Sequence, residues 1–102
     1  MTTHKSLNEI KTVLRKHKEE LKEKYGVKEI GVFGSYVRNE QNTSSDIDIL
    51  VEFYPHANVD LVKFVELKSY LSDLLSMKVD LVMKTALKPR IGAHILKEVI
   101  YV

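Results

Sequence analysis

Two carboxylates set two residues apart, Asp46 and Asp48, are the side chains of this chain best placed to do chemistry. If the segment around them is a strand, successive side chains alternate between faces, so the two project from one side with Cα atoms roughly 6.6 Å apart. Like charges so close repel unless something positive lies between them, and a metal cation is the natural counter-charge. In two-metal phosphoryl chemistry, ions about 3.5 to 4 Å apart clamp the attacking and leaving oxygens, a span that carboxylates at this spacing can bridge. Mg²⁺ suits such a pair because it uses few protein ligands and takes the rest from substrate phosphates. A third carboxylate, Asp80, lies inside Val79-Asp80-Leu81-Val82, where Asp is depleted and an unpaired buried charge would be costly. It is expected to face the other two. Each of the three also has an ordinary reading: Asp46 as a turn residue, Asp48 as a solvent-facing strand residue, Asp80 as an exposed residue on an edge strand.

Ten residues separate Ser35 from Asp46, and Gly34-Ser35 ends a β-branched run. A Gly-Ser pair there can aim backbone N–H groups and a hydroxyl at phosphate oxygens, although the same dipeptide is common in plain turns. Arg38, one turn further on, could reach a phosphate as a bidentate donor or simply pair with Glu40.

The elements that must hold these residues follow from periodicity. From Ser6 to Tyr25 the apolar positions Leu7, Ile10, Val13, Leu14, Leu21 and Tyr25 predict one amphipathic helix, capped by Ser6 with Glu9 in the capping-box place and stopped by Gly26. Val27 to Phe33 reads as a buried strand, and 35 to 45 as a polar loop with at most one helical turn near Tyr36 to Arg38. Asp46 to Phe53 reads as a strand with Ile47, Ile49, Val51 and Phe53 on one face and Asp46, Asp48, Leu50 and Glu52 on the other. Asp60 or Asn58 caps a helix carrying Leu61, Val62, Phe64, Val65, Leu67, Leu71, Leu74 and Leu75. Lys78 to Met83 is a third strand, and a last helix opens at about Pro89 and runs to Glu98. The tail Val99 to Val102 either adds an edge strand or is left for another chain, and pairing within the domain is preferred. The expected fold is a two-layer α/β domain with a small mixed sheet and helices packed on it.

Composition narrows the chemistry. At 102 residues with 44% hydrophobic content, the chain is expected to fold as one domain spanning 1–102, too small to carry a second module for an acceptor. With no Cys, thiolate metal sites, disulfides and cysteine nucleophiles are excluded. No apolar run reaches the roughly 18 residues of a membrane span and the N-terminus leads into charged helix, so a cytoplasmic protein is expected. A net charge of +2 is too near balance to argue for nucleic acid. The basic residues of 1–28 read as a solvated helix face, the four histidines lack ligand spacing, and the five tyrosines form no stacking platform.

Gly34-Ser35, ten residues, Asp46-Ile47-Asp48 and then Asp80 on the next strand resemble the active-site signature of the DNA polymerase β-type nucleotidyltransferase superfamily. Within it, Gly-Ser-Tyr-Val-Arg from Gly34, the run Ser45-Asp-Ile-Asp-Ile-Leu-Val and Leu87-Lys-Pro-Arg are similar to the minimal nucleotidyltransferase (MNT) antitoxins, from about Leu7 to Val102. Asn39 departs from the pattern, since many members have Gly after the Arg. The resemblance implies a polymerase β-type nucleotidyltransferase fold and Mg²⁺-dependent transfer of AMP from ATP to a tyrosine of a HEPN-domain ribonuclease toxin, with which the chain would form a hetero-oligomer. It implies that Asp46, Asp48 and Asp80 are catalytic and bind the metal, Asp80 also orienting or deprotonating the incoming hydroxyl. Gly34 and Ser35 would hold the β and γ phosphates, with Arg38 a further nucleotide contact. Two other functions stay open: a non-catalytic antitoxin that occludes its toxin sterically, and a nucleotidyltransferase acting on a small molecule.

Overall fold

The computed structural model describes residues 6–38 and 46–102, so Asn39, Glu40 and Ser45 lie outside the described residues. The N-terminal helical region is two helices, α1 (Leu7–Lys16) and α2 (Lys18–Tyr25), in place of the single helix that periodicity predicts. The break is at His17, with φ −104° and ψ 11°, whose N–H is shared between the Val13 and Leu14 carbonyls. Its ring Nδ1 also lies 2.9 Å from the Val13 carbonyl, a local side-chain bond that competes with helix continuation. The expected capping box between Ser6 and Glu9 is present, and Gly26 closes α2.

Strand β1 (Val27–Phe33) leads into the one-turn helix α3 (Ser35–Arg38), and β2 (Ile47–Phe53) follows. Asp60 accepts the Lys63 N–H at 2.8 Å and starts α4 (Leu61–Leu75). Then come β3 (Val79–Met83), a 3₁₀ turn over Lys84–Ala86, α5 (Pro89–Glu98) with Pro89 in its first turn, and β4 (Ile100–Tyr101). The sheet order is β3-β2-β1-β4. It is mixed: β1 runs antiparallel to β2 and β4, while β2 and β3 are parallel, joined by the α4 crossover. This is the small mixed sheet with helices packed on it that the sequence predicts.

The tail belongs to the sheet. Ile100 and Tyr101 pair with Val32 and Gly31, and the Val102 N–H donates to the Ile30 carbonyl. A Cβ at Gly31 would collide with Val99 and the Ile100 carbonyl, so glycine is what lets this last strand close on β1.

One face of the sheet supplies Ile30, Val32, Ile47, Ile49, Val51, Val79 and Leu81 to a core completed by Ile10, Leu14 and Leu21 and by Leu67, Leu71 and Leu75 of α4. In α4 the buried leucines recur at i, i+4 and i+8, and Leu61, Val62 and Val65, which belong to the same apolar run, point away from that stripe and are exposed. The opposite face carries Asp48 and also Leu50, which is buried outside the main cluster.

Candidate active site

Parallel pairing of β2 with β3 brings the carboxylates together. Asp48 and Asp80 are register partners on adjacent strands, so their side chains leave the sheet side by side on the face opposite the core. Asp80 is exposed and on an edge strand, yet it does lie beside Asp48. Asp46 sits exposed just before β2, two residues upstream of Asp48. Across the other ladder Asp48 faces Phe33, which is buried.

That setting has an electrostatic consequence. Burial pushes the Asp48 carboxyl up to about 6 from its ordinary 3.8, and the Asp80 charge, a side-chain hydrogen bond with Asp80 and the Asp46 charge push the same way. Arg38 opposes them without cancelling them. Asp48 therefore sits in a partly desolvated, locally negative setting that favours its protonated form.

The strand end that faces it is Gly34, with φ +84°. A Cβ there would overlap the Asp48 carboxylate, so only glycine fits both the backbone angle and the close approach. Gly34 also starts α3: its carbonyl accepts the N–H groups of Val37 and Arg38 at 3.0 and 3.1 Å. Ser35 is half-buried at the start of that turn.

One residue that sequence reasoning did not single out closes the arrangement. Glu98, in the last turn of α5, accepts the Gly34 N–H at 2.7 Å through Oε2 and Arg38 Nη1 at 2.8 Å through Oε1. Burial alone would push its carboxyl up, but the Arg38 guanidinium and the Gly34 N–H hold it below its ordinary value. An acidic residue at a helix C-terminus opposes the helix dipole, and that anomaly was the available sequence signal.

Among the described residues, no group of three or more His, Asp or Glu side chains is gathered so as to hold a metal ion by itself. The donor set nonetheless suits a hard cation that draws most of its ligands from phosphates and water, because Asp48 and Asp80 offer paired oxygens in a locally negative field. His94 lies 4.0 Å from Glu98 and His56 stacks on Tyr54, and among the described residues neither is gathered with the aspartates into a metal-holding group.

Comparison with known proteins gives the family and the fold. The nucleotidyltransferase domain family matches residues 14–102, and the chain belongs to that family. The Methanocaldococcus jannaschii chain MJ0128, whose name proposes protein adenylyltransferase activity, is 61% identical over 99 residues, 96% of this chain and 99% of that one. Protein adenylyltransferase MntA of Thermococcus cleftensis is 54% identical over 97 residues, covering 95% of this chain and 96% of MntA. A solved structure described as a candidate minimal nucleotidyltransferase superposes with a TM-score of 0.75 at 31% identity, covering 97% of this chain and 98% of that one. A toxin–antitoxin crystal structure with AMP-PNP gives a TM-score of 0.69 at 26% identity, over 85% of this chain and 69% of its own. The expected enzyme class and fold are both borne out. No helix among the described residues is long and apolar enough to cross a membrane.

Proposed function

We propose that this chain is a protein adenylyltransferase serving as the antitoxin of a two-component pair in the cytoplasm, moving AMP from ATP to a tyrosine hydroxyl of a HEPN-domain ribonuclease toxin. The observation that carries the reading is the in-register Asp48–Asp80 pair, with Asp46 two residues upstream, set against the Gly34 turn. The relatives named above as protein adenylyltransferases match almost the whole chain, and the AMP-PNP complex shows that a protein of this shape can be crystallised with an ATP analogue.

Asp46, Asp48 and Asp80 would hold Mg²⁺, which when bound offsets charge on the triphosphate and on departing pyrophosphate. Ser35 supplies a hydroxyl toward the β and γ phosphates. Gly34 contributes room and backbone shape, since its own N–H is committed to Glu98. Arg38 adds positive charge at the phosphate end. Asp80, the most accessible of the register pair, orients the tyrosine hydroxyl and takes its proton as the new oxygen–phosphorus bond forms at the α phosphorus and the bond to the β-phosphate oxygen breaks. The acceptor side of the site comes from the partner protein.

Incubating the chain with ATP labelled in the α phosphate, Mg²⁺ and the protein encoded by the neighbouring gene tests the reading. Label is expected on a tyrosine of that protein. Tight binding without labelling would instead select steric occlusion, and label on a small molecule alone would overturn the protein acceptor.

A further inference from the structure

The carboxylate of Glu98 joins parts of the molecule that are distant in sequence: it bonds to Gly34, 64 residues away, and to Arg38, 60 away. Its side chain is only 12% exposed, against 44% for Arg38. Its backbone is equally fixed. The Val99 N–H caps α5 on the Ile95 carbonyl, and the next two residues pair with Gly31 and Val32 of β1, the strand that runs on into Gly34. Strand, turn and helix end thus form a closed brace with one carboxylate as its corner.

Gly34 lies between two carboxylates. Its N–H goes to Glu98, while the position a Cβ would occupy is taken by the Asp48 carboxylate. The Glu98 bond consequently sets how the Ser35–Arg38 turn stands relative to Asp48. A guanidinium carries five N–H donors in a rigid fork, so Arg38 can keep its Glu98 bond and still address a phosphate oxygen.

We propose that Glu98 is a positioning residue for the nucleotide: it fixes the Gly34 turn and holds the Arg38 guanidinium at the phosphate end of the site. The proposal rests on the adenylyltransferase reading above. The competing role is a placeholder, a carboxylate occupying the phosphate position until ATP displaces it. Displacement would have to strip a nearly buried, ionised carboxylate of both its donors while a second anion arrives beside it. The brace asks for no such rearrangement.

The test is titration of Mg²⁺-ATP into full-length variants, together with the transfer assay. Glu98→Ala is expected to weaken ATP binding about tenfold, the scale of a lost charge-assisted hydrogen bond. Glu98→Gln, which keeps an acceptor for one donor, is expected to fall between it and the parent, and it decides the matter should the alanine variant not fold. Arg38→Ala should weaken binding too, and the double variant should lose less than the sum of the two single losses, because part of the Glu98 effect is exerted through Arg38 and the rest through the Gly34 N–H. Tighter ATP binding by Glu98→Ala would select the placeholder and overturn the proposal, as would fully additive losses or unchanged binding in both Glu98 variants of an active parent. A parent that neither binds nor transfers the nucleotide would bring down the adenylyltransferase reading itself.

Discussion

A carboxyl that ionises near pH 6, beside a second aspartate and opposite Phe33, costs the folded protein stability at neutral pH. Because the folded value lies above the ordinary 3.8, the cost is complete above pH 6, fades as the pH falls through that range, and is gone only below 3.8, where the side chain is protonated in both states. At full value such a shift amounts to about 3 kcal/mol, and screening at a half-buried site reduces it to about 1 kcal/mol. Asp48→Asn is therefore expected to melt several degrees higher than the parent at pH 8 in EDTA and to lose that advantage as the pH is taken below the ordinary 3.8, while losing nucleotidyl transfer. A lower melt at pH 8 would mean that Asp48 takes part in a stabilising ion pair. Asp80→Asn should separate binding from turnover, keeping measurable Mg²⁺-ATP affinity in calorimetry while transfer collapses; unchanged turnover would remove Asp80 from the chemistry. At Gly34 the steric demand is harsher. Gly34→Ala must place a methyl where the Asp48 carboxylate lies, at φ +84°, and should lower stability by more than about 1 kcal/mol in urea unfolding as well as abolishing transfer.

At the level of elements, the leucine stripe of α4 predicts a sharp contrast. Leu71→Ala should cost about 2 to 5 kcal/mol of unfolding free energy, since Leu71 is fully buried, whereas Leu61→Ala, at a position 76% exposed, should stay within about 0.5 kcal/mol. Chemical denaturation of the two variants checks this. The same helix shows what periodicity could and could not disclose. Its caps and length were legible because Asp60 and the apolar run are local signals, but a list of apolar residues does not say which sector of the helix meets the sheet. The strands were legible almost to the residue, bounded as they are by Gly26, Gly34 and Pro55, and the alternation in β2 put Asp46 and Asp48 on one side. The break at His17 was not legible, because it depends on one ring bonding one carbonyl. Glu98 was missed for the opposite reason: its partners lie some sixty residues away, and no local pattern encodes them.

At the scale of the whole molecule, the C-terminal strand is part of the architecture. Removing 99–102 strips β1 of its outer neighbour, takes away the Val102 bonds to Ile30 and Lys18, and unseats Glu98 from its anchored turn. The truncated chain should melt well below the parent, and an unchanged melting temperature would show that β4 adds nothing to the sheet. The register of β2 and β3 has a wider consequence. Asp48 and Asp80 meet only after the entire α4 crossover has folded, so the pair is a product of tertiary structure and a cation held between them would stabilise the closed topology. Hydrogen exchange should therefore slow on β4, the strand farthest from β3 in the sheet and carrying none of the candidate ligands, when Mg²⁺ is added at saturating levels. At a hundredfold excess over the dissociation constant the gain in opening free energy is about 2.7 kcal/mol for every amide that exchanges only through global unfolding. Protection confined to β2 and β3 would mean that the sheet comes apart in pieces, and that the ion reports on one hinge of the fold rather than on its integrity.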